Sequence, residues 1–166
     1  MTATYLLRLR NFVLFILVQI LIFAHIRLFG YATACVALIF LLKLPRYTSR
    51  NELLIWGFLM GLIIDIFGNT PGIYAAAATA LAFFRGTALE LLVQKGNSDD
   101  FVPSYATMSG RRYIAYSVVC VLFFYFVLYM LELFTIQYPL PLLISAASST
   151  LFTMSFVVVS EFFTRK

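Results

Sequence analysis

Hydrophobic residues in this chain fall into six long runs, approximately residues 10–24, 29–44, 52–67, 71–93, 112–133 and 139–163, joined by short polar connections. A helix that crosses a bilayer needs roughly 20 mainly apolar residues, somewhat fewer where the bilayer thins locally. On that ruler the pattern predicts an all-α integral membrane protein with six transmembrane helices, forming one polytopic membrane domain over residues 1–166. The second and third runs are the shortest and read as tilted or incomplete spans. Arg8 and Arg10 followed by "NFVLFILVQILIFA" imitate a secretory leader, and "ATAC" at 32–35 imitates a cleavage site. The apolar character simply continues past them, so the first run reads as a membrane helix rather than a removed segment.

Composition sharpens this picture. Of the 166 residues 63% are hydrophobic and only 11% charged, and mean hydropathy is +0.96. So few charges could not cover a water-exposed surface, so the apolar surface must face lipid. The net charge of +5 does not point to nucleic acid, because the basic residues are scattered between apolar runs rather than gathered on one face.

Those basic residues set a topology. With six spans and a cytoplasmic N-terminus, the inner side collects Arg8, Arg10, Lys43, Arg46, Arg50, Lys95, Arg111, Arg112, Arg165 and Lys166. The outer loops keep only Arg27, and Arg85 falls within the fourth span. By the positive-inside rule both termini are expected in the cytoplasm. The longest connection, residues 94–112, is then cytoplasmic and rich in turn formers. Its Asp99 and Asp100 offer either a solvated loop or a contact surface for a cytoplasmic partner. Neither an internal repeat nor an inverted-repeat pattern is visible.

Candidate chemistry is sparse. The one histidine, His25, lies at the outer end of the first span, and the seven acidic residues form no group with metal-ligand spacing. Cys35 and Cys120 sit inside apolar runs and read as buried free thiols. No hydrolase, zinc-protease or phosphate-loop motif occurs. The expectation is a non-enzyme with no catalytic residue, metal or cofactor.

The stretch "GLIIDIFGNTPGIYAAAA", 61–78, carries the most unusual residue. An acidic side chain at a helix centre costs about 2.5–3.5 kcal/mol on insertion scales. If Phe67 and Pro71 mark the outer surface, Asp65 lies about 3 Å deep and Arg85 about 21 Å deep, at about 1.5 Å per residue. The two should therefore not pair, and Arg85 is expected to snorkel to the cytoplasmic face near Glu90. Asp65 has two open readings. It joins an outer polar cluster with Arg27 and Glu132, or it caps backbone donors in the turn. In "GNTPG", Gly68 is expected to end one helix, Thr70 to cap the next, and Pro71 to occupy its first position ahead of Gly72. Gly57 and Gly61, four apart, face an alanine-rich helix over 75–82. They predict close helix packing or a partner-helix interface, and "SAASST" in the sixth run reads the same way.

The segment "GFLMGLIIDIFGNTPGIYAAAATAL", residues 57–81, resembles the signature of the bacterial rod shape-determining protein MreD family. Gly61, Asp65, Gly68, Pro71, Gly72 and Ala75 occupy the family's places in order. This chain joins Pro71 directly to Gly72, where the family usually inserts a leucine. The resemblance implies a non-enzymatic inner-membrane scaffold of the elongation machinery that maintains cell shape and lateral peptidoglycan synthesis. It also implies a bitopic MreC-like partner and, through it, the MreB filament and the peptidoglycan polymerase and transpeptidase. The family is similar in fold to substrate-binding subunits of energy-coupling-factor vitamin transporters, which supplies an alternative function. Those subunits typically carry alanines spaced four apart on their first helix, and "NFVLFILVQILIFA" has none.

Overall fold

The computed structural model describes residues 2–23, 27–28, 32–92, 102–104, 107–133 and 139–164. Five long helices account for five of the six apolar runs. They are α1 (Thr2–Val18, continued by a π-helical turn Gln19–Phe23), α3 (Arg50–Gly68), α4 (Ile73–Leu92), α5 (Gly110–Leu133) and α6 (Pro139–Thr164). Four of the described helices are both long and apolar enough to cross a membrane: the α1 region over Tyr5–Ile22, α3, α4, and α5 over Gly110–Glu132. The third run, expected to be short, is a full helix of 19 residues.

Side chains are distributed as a lipid-facing bundle requires. Leu21, Leu91 and Leu151 are each more than 70% exposed, and Ile55, Phe58, Phe83 and Phe126 also point outward. In water such a surface would associate or precipitate. Inside lie Gln19, Asp65, Arg85, Ser117, Ser149 and Thr153. Polar groups held internally, with small residues between helices, are how helices adhere where lipid is as apolar as leucine.

The second run departs from expectation. Its described residues, 32–44, do not form a spanning helix. They hold strand β2 (Ala32–Thr33), paired antiparallel with β1 (Arg27–Leu28), and a helix α2 of only five residues, Leu38–Leu42. Every residue from Ala34 to Leu42 is buried. Non-helical backbone at membrane depth is tolerable only where protein surrounds it and satisfies its polar groups, and both conditions hold here. The Cys35 amide donates to Tyr125 Oη (3.0 Å) and Thr153 Oγ1 (3.2 Å). Gln19 Oε1 accepts from the amides of Val36 (2.7 Å) and Ala37 (3.4 Å), while its Nε2 donates to the Ala34 carbonyl (2.9 Å). Gln19 stands where α1 widens into its π turn, an irregularity frequent at sites of special function.

The buried segment still carries the chain back toward the end of the bundle where it began. Lys43 pairs with Glu161 near the end of α6 (2.9 Å), and Arg8 near the start of α1 pairs with Glu52 in the first turn of α3 (2.6 Å). Phe12, Phe40 and Trp56, with ring centroids 4.8–5.4 Å apart, lock α1, α2 and α3 together. On the far side α5 and α6 are joined by hydroxyl pairs one helical turn apart, Tyr125–Thr153 (2.6 Å) and Tyr129–Ser149 (2.9 Å). Ser149 belongs to the small-residue stretch of the sixth run. Cys35 and Cys120 are free and buried.

Candidate functional site

The α3–α4 hairpin holds the residues singled out in the sequence. Helix α3 ends with Gly68 still helical, and Asn69 takes the left-handed conformation (φ 52°). The amides of Asn69 and Thr70 both donate back to the Asp65 carbonyl, the 5→1 bond of an αL stop joined by the 6→1 bond of a Schellman stop. A three-residue turn centred on Pro71 follows, the Gly72 amide donating to the Thr70 carbonyl (3.0 Å). Gly72 has φ 80°, a conformation that a side chain would strain. Pro71 therefore lies outside α4, two residues before its start, rather than at its first position. Gly68 ends α3 as expected, and the left-handed residue is the next one, Asn69, since asparagine tolerates that conformation.

Asp65 is 4% exposed and faces the start of α4. Its Oδ1 accepts from the Tyr74 amide (3.1 Å) and the Thr70 hydroxyl, and its Oδ2 from the Ala75 amide (2.7 Å). One residue thus serves twice: its carbonyl closes α3 and its carboxylate satisfies the orphan donors that open α4. Thr70 supports the cap by donating to the carboxylate instead of capping the helix itself. The capping reading of Asp65 is the observed one. Among the described residues Asp65 forms no ion pair, and the Arg27 side chain expected beside it lies outside the described residues. Glu132, on the last turn of α5, is half-buried and has an interaction of its own, and the backbone of Arg27 lies in β1. His25, Asp99 and Asp100 lie outside the described residues. Asp65→Ala is expected to destabilise the fold by about 2 kcal/mol, the upper end for a lost cap. Asp65→Asn, which keeps one acceptor, should lose less than half of that; thermal unfolding in detergent measures both.

Gly57 and Gly61 face α4 directly. A Cβ on Gly57 would sit 2.8 Å from the Ala78 carbonyl oxygen and 2.9 Å from Ala82 Cβ, and one on Gly61 would sit 2.6 Å from the Ala75 nitrogen. The two glycines are consumed by packing within the chain. The opposite flank of the hairpin is open: a groove of about 550 Å³ is lined by Leu54, Phe58, Leu62, Gly72, Ala75, Ala76, Thr79, Ala80 and Phe83. Its floor is made of small residues and its walls of large apolar ones.

Arg85 does not snorkel. It is 1% exposed, with Nε donating to Tyr116 Oη (2.9 Å) and Nη2 to the carbonyls of Leu42 (3.4 Å) and Leu44. These carbonyls belong to the last residue of α2 and the second residue beyond it, where a helix leaves acceptors unsatisfied and favours a cation. The reason for the difference is the buried α2, whose acceptors lie within reach of a side chain that a simple hairpin would have sent to the surface. Gln19 and Arg85 therefore clamp α2 at its two ends.

Sequence reasoning passed over several of these residues. Gln19 and Glu52 carried visible signals: a lone amide inside an apolar run, and a Ser49-x-x-Glu52 spacing that marks a helix start. Ser49 Oγ does accept from the Glu52 amide (3.3 Å), while the Glu52 carboxylate is turned to Arg8 and to Trp56 Nε1 (3.4 Å). Among the described residues no group of three or more His, Cys, Asp or Glu is placed to hold a metal ion. Compared with protein-family models, curated proteins and solved structures, the chain matches none.

Proposed function

We propose that this chain is a non-enzymatic scaffold of the rod-shape elongation machinery in the bacterial inner membrane, with both termini cytoplasmic. Its partner is an MreC-like bitopic protein, which links it to the MreB filament and to the peptidoglycan polymerase and transpeptidase. The carrying observation is the α3–α4 hairpin. The residues that resemble the MreD signature build one rigid unit, and beside it lies a groove floored by Gly72, Ala75, Ala76, Thr79 and Ala80. Small residues admit close approach of another helix backbone, the main source of helix affinity in a bilayer. The partner's membrane helix would lie in this groove, flanked by Phe58 and Phe83. In this reading the chain crosses the membrane six times, the second crossing being the buried 32–44 segment, in a bundle similar to the energy-coupling-factor subunits.

The test is copurification from native membranes with mass spectrometry of what remains bound. The tagged wild type is expected to retain an MreC-like protein and wall-synthesis enzymes. Ala76→Trp, at an exposed position on the groove floor, should fold normally and recover about tenfold less of that partner. Recovery of transporter ATPases and a coupling subunit instead would overturn the scaffold reading in favour of vitamin transport.

A further inference from the structure

At the Arg8–Glu52 end of the bundle the α3–α4 hairpin encloses a second, polar cavity of about 340 Å³. Arg46, Thr48 and Arg50 line it from the start of α3 and the connection before it, and Arg85, Thr87 and Glu90 from α4. Three guanidinium groups against one carboxylate leave the lining with a formal excess of two positive charges. Arg85 is nearly fully buried, and the partners its guanidinium finds are the neutral Tyr116 hydroxyl and two carbonyls. Among the described residues no carboxylate lies within ion-pair distance of it. A buried cation without a counter-ion is costly, and an anion brought alongside removes that cost.

A second observation points to the same occupant. Thr48 is 6% exposed and its hydroxyl finds no hydrogen-bond partner among the described residues. Guanidinium forks match the paired oxygens of phosphate and carboxylate anions bidentately, and phosphate is the anion that membrane lipids carry. The cavity also opens on the apolar flank of the hairpin. Phe83, more than half exposed, lines both the cavity and the apolar groove, and the Arg50 guanidinium lies 4.0 Å above its ring. A group entering there comes from the level at which basic side chains meet lipid headgroups.

We propose that this cavity is a binding site for a phosphate-class anion, supplied by the headgroup of an anionic membrane lipid. Arg46 and Arg50 receive the phosphate at the wall, Thr48 donates to it, and Arg85 supplies the buried charge that holds it.

The experiment titrates the purified, delipidated full-length chain in neutral detergent with phosphatidylglycerol, phosphatidylcholine or sodium phosphate at constant ionic strength, reading the unfolding temperature. Phosphatidylglycerol should raise it and phosphatidylcholine should not. The R46Q/R50Q double variant should need at least about tenfold more phosphatidylglycerol for the same rise. R10Q/R111Q, which removes two exposed charges outside the cavity, should titrate like the wild type. If the double variant loses its helical circular dichroism, R50Q alone at its exposed position reads the same shift. An equal rise with millimolar phosphate, abolished by R46Q/R50Q, would keep the site but make its ligand a soluble anion. Equal responses to the two lipids with none to phosphate, or an equal loss in R10Q/R111Q, would overturn the site.

Discussion

Gly61→Val is expected to destabilise the protein by about 3 kcal/mol or more, the largest effect of any single substitution in the α3–α4 hairpin. A Cβ at this position would lie 2.6 Å from the Ala75 backbone nitrogen and within contact of the Ala75 Cα and the Tyr74 carbonyl. These are backbone atoms, which no change of rotamer can move aside. Overpacking a close-fitted interior typically costs 1–3 kcal/mol even when flexible side chains can yield, so valine must either push the helices apart or unseat the Asp65 cap. Gly86 supplies the contrast. It lies on α4 with nothing within 4 Å of a built Cβ, so Gly86→Ala should stabilise by roughly 0.5–1 kcal/mol, the ordinary helix preference of alanine over glycine. Thermal unfolding of both variants in one detergent decides the matter. Equal stability of the two would mean that the helices do not approach as closely at Gly61 as described.

Gln19→Leu carries the second large effect. In the wild type one amide side chain serves three backbone groups of the buried 34–37 segment, at 2.7 Å, 2.9 Å and 3.4 Å. Leucine preserves volume and apolarity and leaves all three without that partner. At about 1–3 kcal/mol for each strongly bonded orphan, and more where no water can substitute, the loss should reach about 3–5 kcal/mol. Gln19→Glu keeps the acceptor for the Val36 amide but sets a carboxylate against the Ala34 carbonyl, so it should fall between. A local readout separates this from general unfolding. Cys35 is 2% exposed and lies inside the clamped segment, whereas Cys120 is 0% exposed on α5. Maleimide should label neither thiol in the wild type and Cys35 alone in Gln19→Leu. Labelling of both at equal rates would show that the whole bundle has opened and that Gln19 has no specific hold on the segment.

Both predictions turn on the same structural fact: the interior of this bundle contains backbone as well as side chains. Asp65, Gln19 and Arg85 are each buried, and each serves the polar ends of a helix. A carboxylate opens α4, an amide opens α2 and a guanidinium closes it. In water such ends would be solvated; surrounded by apolar side chains they need a partner from the chain itself.

How far the sequence carried can be seen at particular residues. The α3–α4 hairpin was legible because glycine, proline and asparagine act locally: two long apolar runs separated by "GNTPG" leave few other conformations. The close approach at Gly57 and Gly61 was legible because the four-residue spacing places both on one helix face opposite the alanines of α4. The capping role of Asp65 stood as one of two readings, since its partners, Tyr74 and Ala75, lie only nine and ten residues away. The burial of Cys35 and Cys120 followed from their apolar neighbours.

Tertiary structure decided the rest. The second run is apolar where protein surrounds it, over 34–42, and hydropathy cannot distinguish burial by helices from burial by lipid. Counting residues along a hairpin put Arg85 about 21 Å deep, with its side chain expected to snorkel to the cytoplasmic face. It stays inside because α2, more than forty residues earlier, presents its terminal carbonyls there. The Arg8–Glu52 pair and the cavity framed by Arg46, Arg50 and Arg85 likewise join residues far apart in the chain. Periodicity and turn chemistry act over a few residues and were readable in advance. The partners of buried charges and of non-helical backbone depend on which distant segment fills the interior, and only the packed bundle determines that.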